Sequence, residues 1–375
     1  MSGRKRGGAA EAPAAPPTPE DLEAVEGALR PRETEALLGQ AAAQAAFDAA
    51  WSGGRRHHAW LLRGPRGVGK ATFAYGIARR ILAENASLEE AARIARLVRI
   101  GAHPGLFELR RGVNERTEKA RMAISVEDVR RLIGFFQLSA PDEGWRVALI
   151  DPADDLSIGA ANALLKLLEE PPKRALFLLI AHAPGRLPAT ILSRCRRLDF
   201  AALAPARAAE ALRAAAVEIG GGDAEALTAL SGGSPGEALR LHAAGGIELY
   251  DAILRFLEAP REATRQQPLV EVAGRKARQP TGFETLSRLV PMTLGRLARA
   301  RYRGAAEHGD LGGLAPLEDA LAARFAPDDA GARRLAEAAS ELRDRWEAAV
   351  GLNLDPSRTI IDTALYLEEA LAPRR

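Results

Sequence analysis

Apolar positions in the first half of the chain follow two alternating patterns. Short runs at His58-Ala59-Trp60-Leu61-Leu62, Val147-Ala148-Leu149-Ile150 and Ala175 to Ile180 have the length and character of buried strands. Between them, apolar residues recur at a helical period. Ala71 to Leu82 carries Phe73, Ile77, Ile81 and Leu82 on one face, and Val126 to Phe136 and Ile158 to Glu170 repeat the pattern. The last of these stops at Pro171-Pro172, because proline lacks an N–H and disfavours a helical residue before it. A helix near 33–51 ending at Ser52-Gly53-Gly54, a short helix over Pro188 to Arg194 and a short strand over Arg197 to Phe200 complete this part. Strands alternating with helices predict an α/β module whose parallel sheet is covered on both faces.

After about residue 203 only the helical period remains. Short helices are expected over 206–257, separated by Gly220-Gly221-Gly222 and Gly232-Gly233-Ser234-Pro235. Longer ones are expected over 267–372, with breaks at Pro280, Gly312-Gly313 and Pro327. The expected organisation is a tail at 1–19, an α/β domain at 20–202, a small helical domain at 203–262 and a larger helical domain at 263–375. Leu335, Ala338, Leu342 and Trp346 fall on one face of a long helix. Their spacing leaves open whether that face packs within the chain or against another subunit.

Composition narrows the class. With 375 residues, two or three domains are expected. Hydrophobic residues make up 47% and charged residues 27%, the balance of a globular chain, and abundant Ala, Leu and Arg favour helices. A net charge of +3 does not by itself demand nucleic acid. The single cysteine, Cys195, excludes a disulfide framework and a cysteine-based zinc site. It is expected to be a packed small apolar residue rather than a nucleophile. Arg4, Lys5 and Arg6 are followed by Ala and Pro rather than an apolar signal core, and no apolar run reaches membrane-spanning length. A cytoplasmic protein without membrane partners is expected. Residues 1–19, rich in Gly, Ala and Pro, are expected to be disordered.

The strongest chemical signal is Gly64-Pro65-Arg66-Gly67-Val68-Gly69-Lys70, which has the spacing of a phosphate-binding P-loop up to its lysine. Gly64, Gly67 and Gly69 let backbone N–H groups face phosphate oxygens, the following helix adds its positive end, and Lys70 reaches the outer phosphates. The next position departs from the pattern. A P-loop places Ser or Thr there to hold Mg²⁺, whereas this chain has Ala71, with Thr72 one residue later and about 100° further round the helix. Asp151, at the end of a buried strand, qualifies as the acidic partner, but Pro152 follows where hydrolytic P-loop proteins usually carry a carboxylate. Asp154 and Asp155 are read as carboxylates at the next helix start, where the dipole favours them. Phosphate binding survives these losses and fast hydrolysis does not. ATP or ADP at a degenerate site is the expected cofactor, with no metal.

Several further motifs carry a family resemblance. Asn162-Ala163-Leu164-Leu165-Lys166-Leu167-Leu168-Glu169-Glu170-Pro171-Pro172 resembles the most specific signature of bacterial clamp-loader subunits, AAA+ proteins of the DNA polymerase III complex. Ser193-Arg194-Cys195, after Leu187-Pro188-Ala189-Thr190-Ile191-Leu192, is similar to the family's Ser-Arg-Cys motif. Gly233-Ser234-Pro235-Gly236 resembles the start of its second sensor helix. His103-Pro104 and Leu352-Asn353-Leu354-Asp355 also fit, so the resemblance covers nearly the whole chain, in its delta-prime branch. Each motif alone has a plainer reading as core or surface; their order together carries the resemblance.

The resemblance implies a RecA-like AAA+ module, a helical lid and a C-terminal helical collar. It implies a part in ATP-dependent loading of a sliding clamp onto primed DNA, with tau/gamma and delta subunits, the clamp and primer–template DNA as partners. It assigns Arg194 a catalytic role in trans, as an arginine finger on the neighbouring subunit's ATP; the plainer reading is a surface cation beside Arg196 and Arg197. Gly236 stands where hydrolysing members carry a sensor arginine, and residues 84–102 lack the cysteines of the zinc module many members have. His182 falls near the first sensor position and is not assigned a role. Arg55-Arg56, Arg79-Arg80, Arg110-Arg111 and Arg130-Arg131 are read as solvated faces, with salt-sensitive DNA contacts as the alternative. The rival to the clamp-loader reading is a self-sufficient P-loop ATPase of helicase-loader or branch-migration type. Ala71, Pro152 and Gly236 disfavour it. A nucleotide-binding scaffold with no trans role is the third reading.

Overall fold

Helix α1 (Ala41–Ser52) begins at Ala41 rather than near residue 33. Gly39 and Gln40 both have positive φ, 76° and 60°, which a right-handed helix cannot contain. Gln40 uses that break. Its side-chain nitrogen donates to the carbonyls of Val68 (3.1 Å) and Ala201 (2.7 Å), so it ties two loops together. The computed structural model describes residues 24–53, 56–114, 119–137, 144–215, 218–220, 222–259, 280–302, 311–352 and 354–372. The expected tail over 1–19, Arg55, Asn353 and the boundary between 262 and 263 lie outside the described residues.

The α/β alternation is present. In chain order come β1 (Ala59–Arg63), α2 (Lys70–Leu82), α3 (Leu88–Arg99), β2 (Leu106–Leu109), a short antiparallel pair β3 (Val113–Asn114) and β4 (Lys119–Ala120), and α4 (Val126–Gln137). They continue with β5 (Arg146–Ile150), α5 (Ile158–Glu169), β6 (Ala175–Ala181), α6 (Ala189–Leu192) and β7 (Arg196–Asp199). The main sheet has five strands in the order β2-β5-β6-β1-β7, and the β2/β5 and β5/β6 pairs are parallel. Every residue of β6 is buried, as an apolar run covered on both faces requires. The periodicity misses α3, although Ser87 and Glu90 mark its start as a capping box: the Ser87 hydroxyl accepts from the Glu90 N–H at 3.2 Å.

The described chain divides into two compact units, each taken by itself. The first holds His58–Leu61 and Pro104–Arg196. Its core joins Leu61, Ile150, Phe177 and Leu179 of the sheet to Leu132 and Phe136 of α4 and to Leu164 and Leu168 of α5. Phe136 and Phe177 lie 4.9 Å apart between ring centroids.

The second unit holds Val25–His57, Leu62–His103 and the residues from Arg197 onward. Its helices are α7 (Pro205–Ala214), α8 (Asp223–Leu230), α9 (Pro235–Ala243), α10 (Gly246–Glu258), α11 (Pro280–Ala300), α12 (Ala315–Phe325), α13 (Asp329–Gly351) and α14 (Pro356–Ala370). Pro280, expected as a break between helices, opens α11, a position where its missing N–H leaves no helical bond unmade. One apolar cluster runs from Leu212 of α7 to Leu367 of α14. Leu335, Ala338, Leu342 and Trp346 belong to it, so that face of α13 packs within the chain.

A polar triad sits in this apolar cluster. Arg296 of α11 meets Glu318 of α12 through Nε–Oε1 at 3.0 Å and Nη2–Oε2 at 3.2 Å, and the Tyr250 hydroxyl of α10 donates to Oε2 at 2.9 Å. Glu318 is 2% exposed and Arg296 8%. Burial, with the Glu318 carboxylate beside it, pushes the Tyr250 phenol above its ordinary range. Removing one partner leaves a buried charge uncompensated. Glu318→Ala is therefore expected to lower unfolding free energy by about 3–5 kcal/mol in urea titration. The double variant Arg296→Met with Glu318→Leu recovers most of that loss; equal destabilisation of single and double variants would contradict the account.

Candidate functional site

The P-loop lies in the second unit, between β1 and α2. Gly64 has φ 148° and Gly67 φ 78°, and neither has room for a side chain. A Cβ at Gly64 would stand 2.0 Å from the Phe200 carbonyl oxygen, and one at Gly67 2.5 Å from Ser234 Oγ. Gly69, with φ 99°, caps α2, and Lys70 is its first residue. The Lys70 ammonium donates to the carbonyls of Gly64 (2.6 Å) and Pro65 (2.5 Å) and is 2% exposed. Ala71 and Thr72 are half-buried in the first turn of α2.

The start of α9 is seated on this loop. The Ser234 hydroxyl donates to the Arg66 carbonyl at 2.6 Å and accepts from the Glu237 N–H at 3.4 Å. The Gly236 N–H donates to the Gly67 carbonyl at 2.9 Å. A Cβ at Gly236 would come 2.9 Å from Gly67 Cα. The absence of an arginine at 236 is therefore a condition of this packing. Glu237, one residue on, pairs with Arg288 (2.6 Å) and Arg240 (3.2 Å). Burial alone would raise its carboxyl, but the charges of Arg288 and Arg240 hold it below its ordinary value.

The acidic residues after β5 lie in the first unit. The Asp151 N–H donates to the Leu109 carbonyl at 3.0 Å, and its carboxylate lies 3.4 Å from Arg110 Nη2. The peptide from Asp151 to Pro152 is cis. Asp154 and Asp155, read as carboxylates at the next helix start, precede α5. They belong to a short 3₁₀ turn, and Ser157 caps α5 by accepting from the Ala160 N–H at 3.2 Å. Asp154 instead accepts the N–H groups of His182 (2.9 Å) and Ala183 (3.1 Å), pinning the end of β6, while Asp155 pairs with Arg111 at 3.1 Å.

Arg194 follows the last turn of α6 in the same unit. Buried Ile191 and Cys195 fix the backbone on either side. Burial pushes the Cys195 thiol up to about 12, which suits a packed residue and removes it as a nucleophile. The Arg194 side chain is 34% exposed. Its Nη1 donates to the Thr190 carbonyl at 2.9 Å and its Nη2 lies 2.6 Å from Glu169 Oε1. The structure thus gives a fixed backbone bearing a guanidinium that reaches solvent.

Taken as a nucleotide site, the P-loop fits in part. Its shape suits phosphate oxygens, and Lys70 reaches them by exchanging the Gly64 and Pro65 carbonyls for them. Ala71 offers no hydroxyl to Mg²⁺, and the Asp151 carboxylate is engaged with Arg110. Among the described residues, no group of three or more His, Cys, Asp or Glu side chains could hold a metal ion. No helix among them is long and apolar enough to cross a membrane. Sequence reasoning misses Gln40, names Glu169 only as part of the helix signature, and reads Arg110 as a solvated face, whereas its side chain is 12% exposed and pairs with Asp151. The helix start expected at Gly233 to Gly236 is present, and the Ser234 and Glu237 spacing is a further start signal for it.

Comparison with known proteins gives the family. The profile of the family described as "DNA polymerase III, delta subunit" matches residues 39–204. DNA polymerase III subunit delta' of Pseudomonas aeruginosa is 40% identical over 235 residues, covering 60% of this chain and 69% of that protein. Subunit delta' of Escherichia coli K12 is 34% identical over 196 residues, 52% of this chain and 57% of that protein. Subunit tau of Bacillus subtilis is 33% identical over 175 residues, 46% of this chain and 30% of that much longer protein. With its parallel sheet, its P-loop and its Ser-Arg-Cys segment in the expected order, the chain belongs to the DNA polymerase III delta-prime family of clamp-loader subunits.

Proposed function

We propose that this chain is a non-hydrolysing AAA+ subunit that takes part in ATP-dependent loading of a sliding clamp onto primed DNA and donates Arg194 to a neighbour's ATP. The RecA-like module over 20–202, the lid over 203–262 and the collar over 263–375 serve that role. Its partners are tau or gamma and delta subunits, the clamp and primer–template DNA, in the cytoplasm. The observation that carries the proposal is the state of Arg194: backbone anchored by buried neighbours, guanidinium oriented and partly exposed. A planar cation supplied in trans stabilises charge on the transferring phosphoryl group. The chain's own P-loop supports the other half. Position 71 offers no metal ligand, and position 236 has no room for a sensor arginine. Gly64, Gly67, Gly69, Lys70, Thr72 and Asp151 then describe a static site for ATP or ADP, or a relic of one. Ala71, Pro152 and Gly236 disfavour a self-sufficient motor.

In a complex reconstituted with the tau or gamma subunit, delta and the clamp, Arg194→Ala is expected to lower clamp- and DNA-stimulated ATP hydrolysis by about 10³-fold. Complex assembly by native mass spectrometry stays intact. An unchanged rate overturns the finger assignment. Purified alone, the chain is expected to hydrolyse ATP well below about 1 s⁻¹; a rate at or above that, abolished by Lys70→Ala, overturns the non-hydrolysing role. Gly236→Ala tests the seat of α9 on the loop. In an ordinary helix this change stabilises. Here it is expected to destabilise by about 1–3 kcal/mol, because the new methyl meets Gly67 backbone. A raised Tm would show that the loop yields freely.

A further inference from the structure

The last helical residue of α5 is a carboxylate, Glu169, followed by Glu170 and the Pro171-Pro172 stop. The carbonyl end of a helix disfavours negative charge, so helix formation gives no reason for an acid at this place. Glu169 is also 48% exposed and contributes nothing to the apolar core. Among the described residues it pairs with Arg194, whose Nη2 lies 2.6 Å from Glu169 Oε1. A solvent-exposed ion pair contributes little to folding stability. Its consequence is conformational. An arginine side chain is long and loses substantial rotamer freedom when its head is fixed. Here the head is fixed twice, by the Thr190 carbonyl on Nη1 and by Glu169 on Nη2. These contacts occupy the terminal nitrogens only in part. Nε makes no hydrogen bond among the described residues, so donors remain for a phosphoryl oxygen.

We infer that Glu169 is a positioning residue for Arg194, an inference that rests on the trans role given to Arg194 above. It orders the guanidinium in the isolated subunit, so that the rotamer freedom is surrendered before the neighbour's ATP reacts rather than during the reaction. Glu169 itself does not touch the nucleotide. The proposal therefore concerns kcat, not nucleotide affinity. It also predicts opposite signs for stability and function. Removing the charge of Glu169 relieves an unfavourable helix end while it loosens the finger.

The test uses the full complex with clamp and primed DNA, reading steady-state ATP hydrolysis for Glu169→Gln, Glu169→Asp, Arg194→Ala and the double variant Glu169→Gln with Arg194→Ala. Glu169→Gln is expected to lower kcat about 2- to 5-fold with KM for ATP unchanged. Glu169→Asp, which keeps the charge on a shorter stem, retains more activity than Glu169→Gln. The double variant matches Arg194→Ala alone, because a positioning residue has no effect without the group it positions. The Tm of the Glu169→Gln subunit stays equal or rises. If Arg194→Ala abolishes stimulation while Glu169→Gln leaves kcat unchanged, this inference fails and the finger stands. The inference also fails alone if the two effects multiply, or if Glu169→Gln lowers Tm in step with activity. If Arg194→Ala itself has no effect, the finger reading fails and takes this inference with it.

Discussion

The contact on which the P-loop region of the chain depends is the seat of α9 on that loop. Two glycines, Gly67 and Gly236, meet at a distance that excludes a side chain on either, and a backbone hydrogen bond joins them. Ser234 serves both partners at once, capping α9 and holding the Arg66 carbonyl. With α9 placed in this way, Glu237 falls between Arg240 and Arg288, and the carboxylate is stabilised as an anion despite its burial. Gln40 adds a further tie from the loop to the end of β7 through Val68 and Ala201. The loop's shape is thus maintained by protein groups at several points.

This arrangement separates binding geometry from catalytic capacity. A glycine loop at a helix start is a phosphate-binding shape whatever surrounds it. Turnover needs more: a metal ligand after the lysine, a carboxylate to orient water, and cations aimed at the transferring group. This chain has Ala71 and Pro152 at the first two of these positions, and a side chain at 236 could not be placed without moving α9 off the loop. The acidic residues that remain after β5 have structural duties, Asp154 on the backbone of His182 and Ala183 and Asp155 on Arg111.

Arg194 presents the opposite case. Its own backbone is held by buried neighbours, and its charged head is oriented without being buried. The helical part is organised by different means. A continuous apolar cluster encloses the Arg296–Glu318–Tyr250 triad, whose hydrogen bonds fix how α10, α11 and α12 meet. Polar groups satisfied inside an apolar cluster reward one arrangement of helices over near alternatives.

The sequence by itself determined the local elements and the chemistry they could carry. Strand and helix periods are local properties, so β1, β5 and β6, and α2, α4 and α5, were legible with errors of a residue or two. The order of Gly64 to Lys70, Asn162 to Pro172 and Ser193 to Cys195 was enough to identify the family. Where the periodicity failed, a local signal had been outweighed. The helix expected from residue 33 was cut by left-handed Gly39 and Gln40, and α3 was passed over although Ala91, Ile94, Leu97 and Val98 recur at helical spacing. Only the tertiary structure decided what each candidate residue touches. Ser234 and Arg66 are 168 positions apart, yet their contact determines why position 236 must be glycine. The pairing of Arg194 with Glu169, the reassignment of Asp154 to the end of β6, and the inward packing of Trp346 are likewise products of close approach between distant segments. Periodicity reports which face of an element is apolar; which partner that face meets is set by the packing of the whole chain.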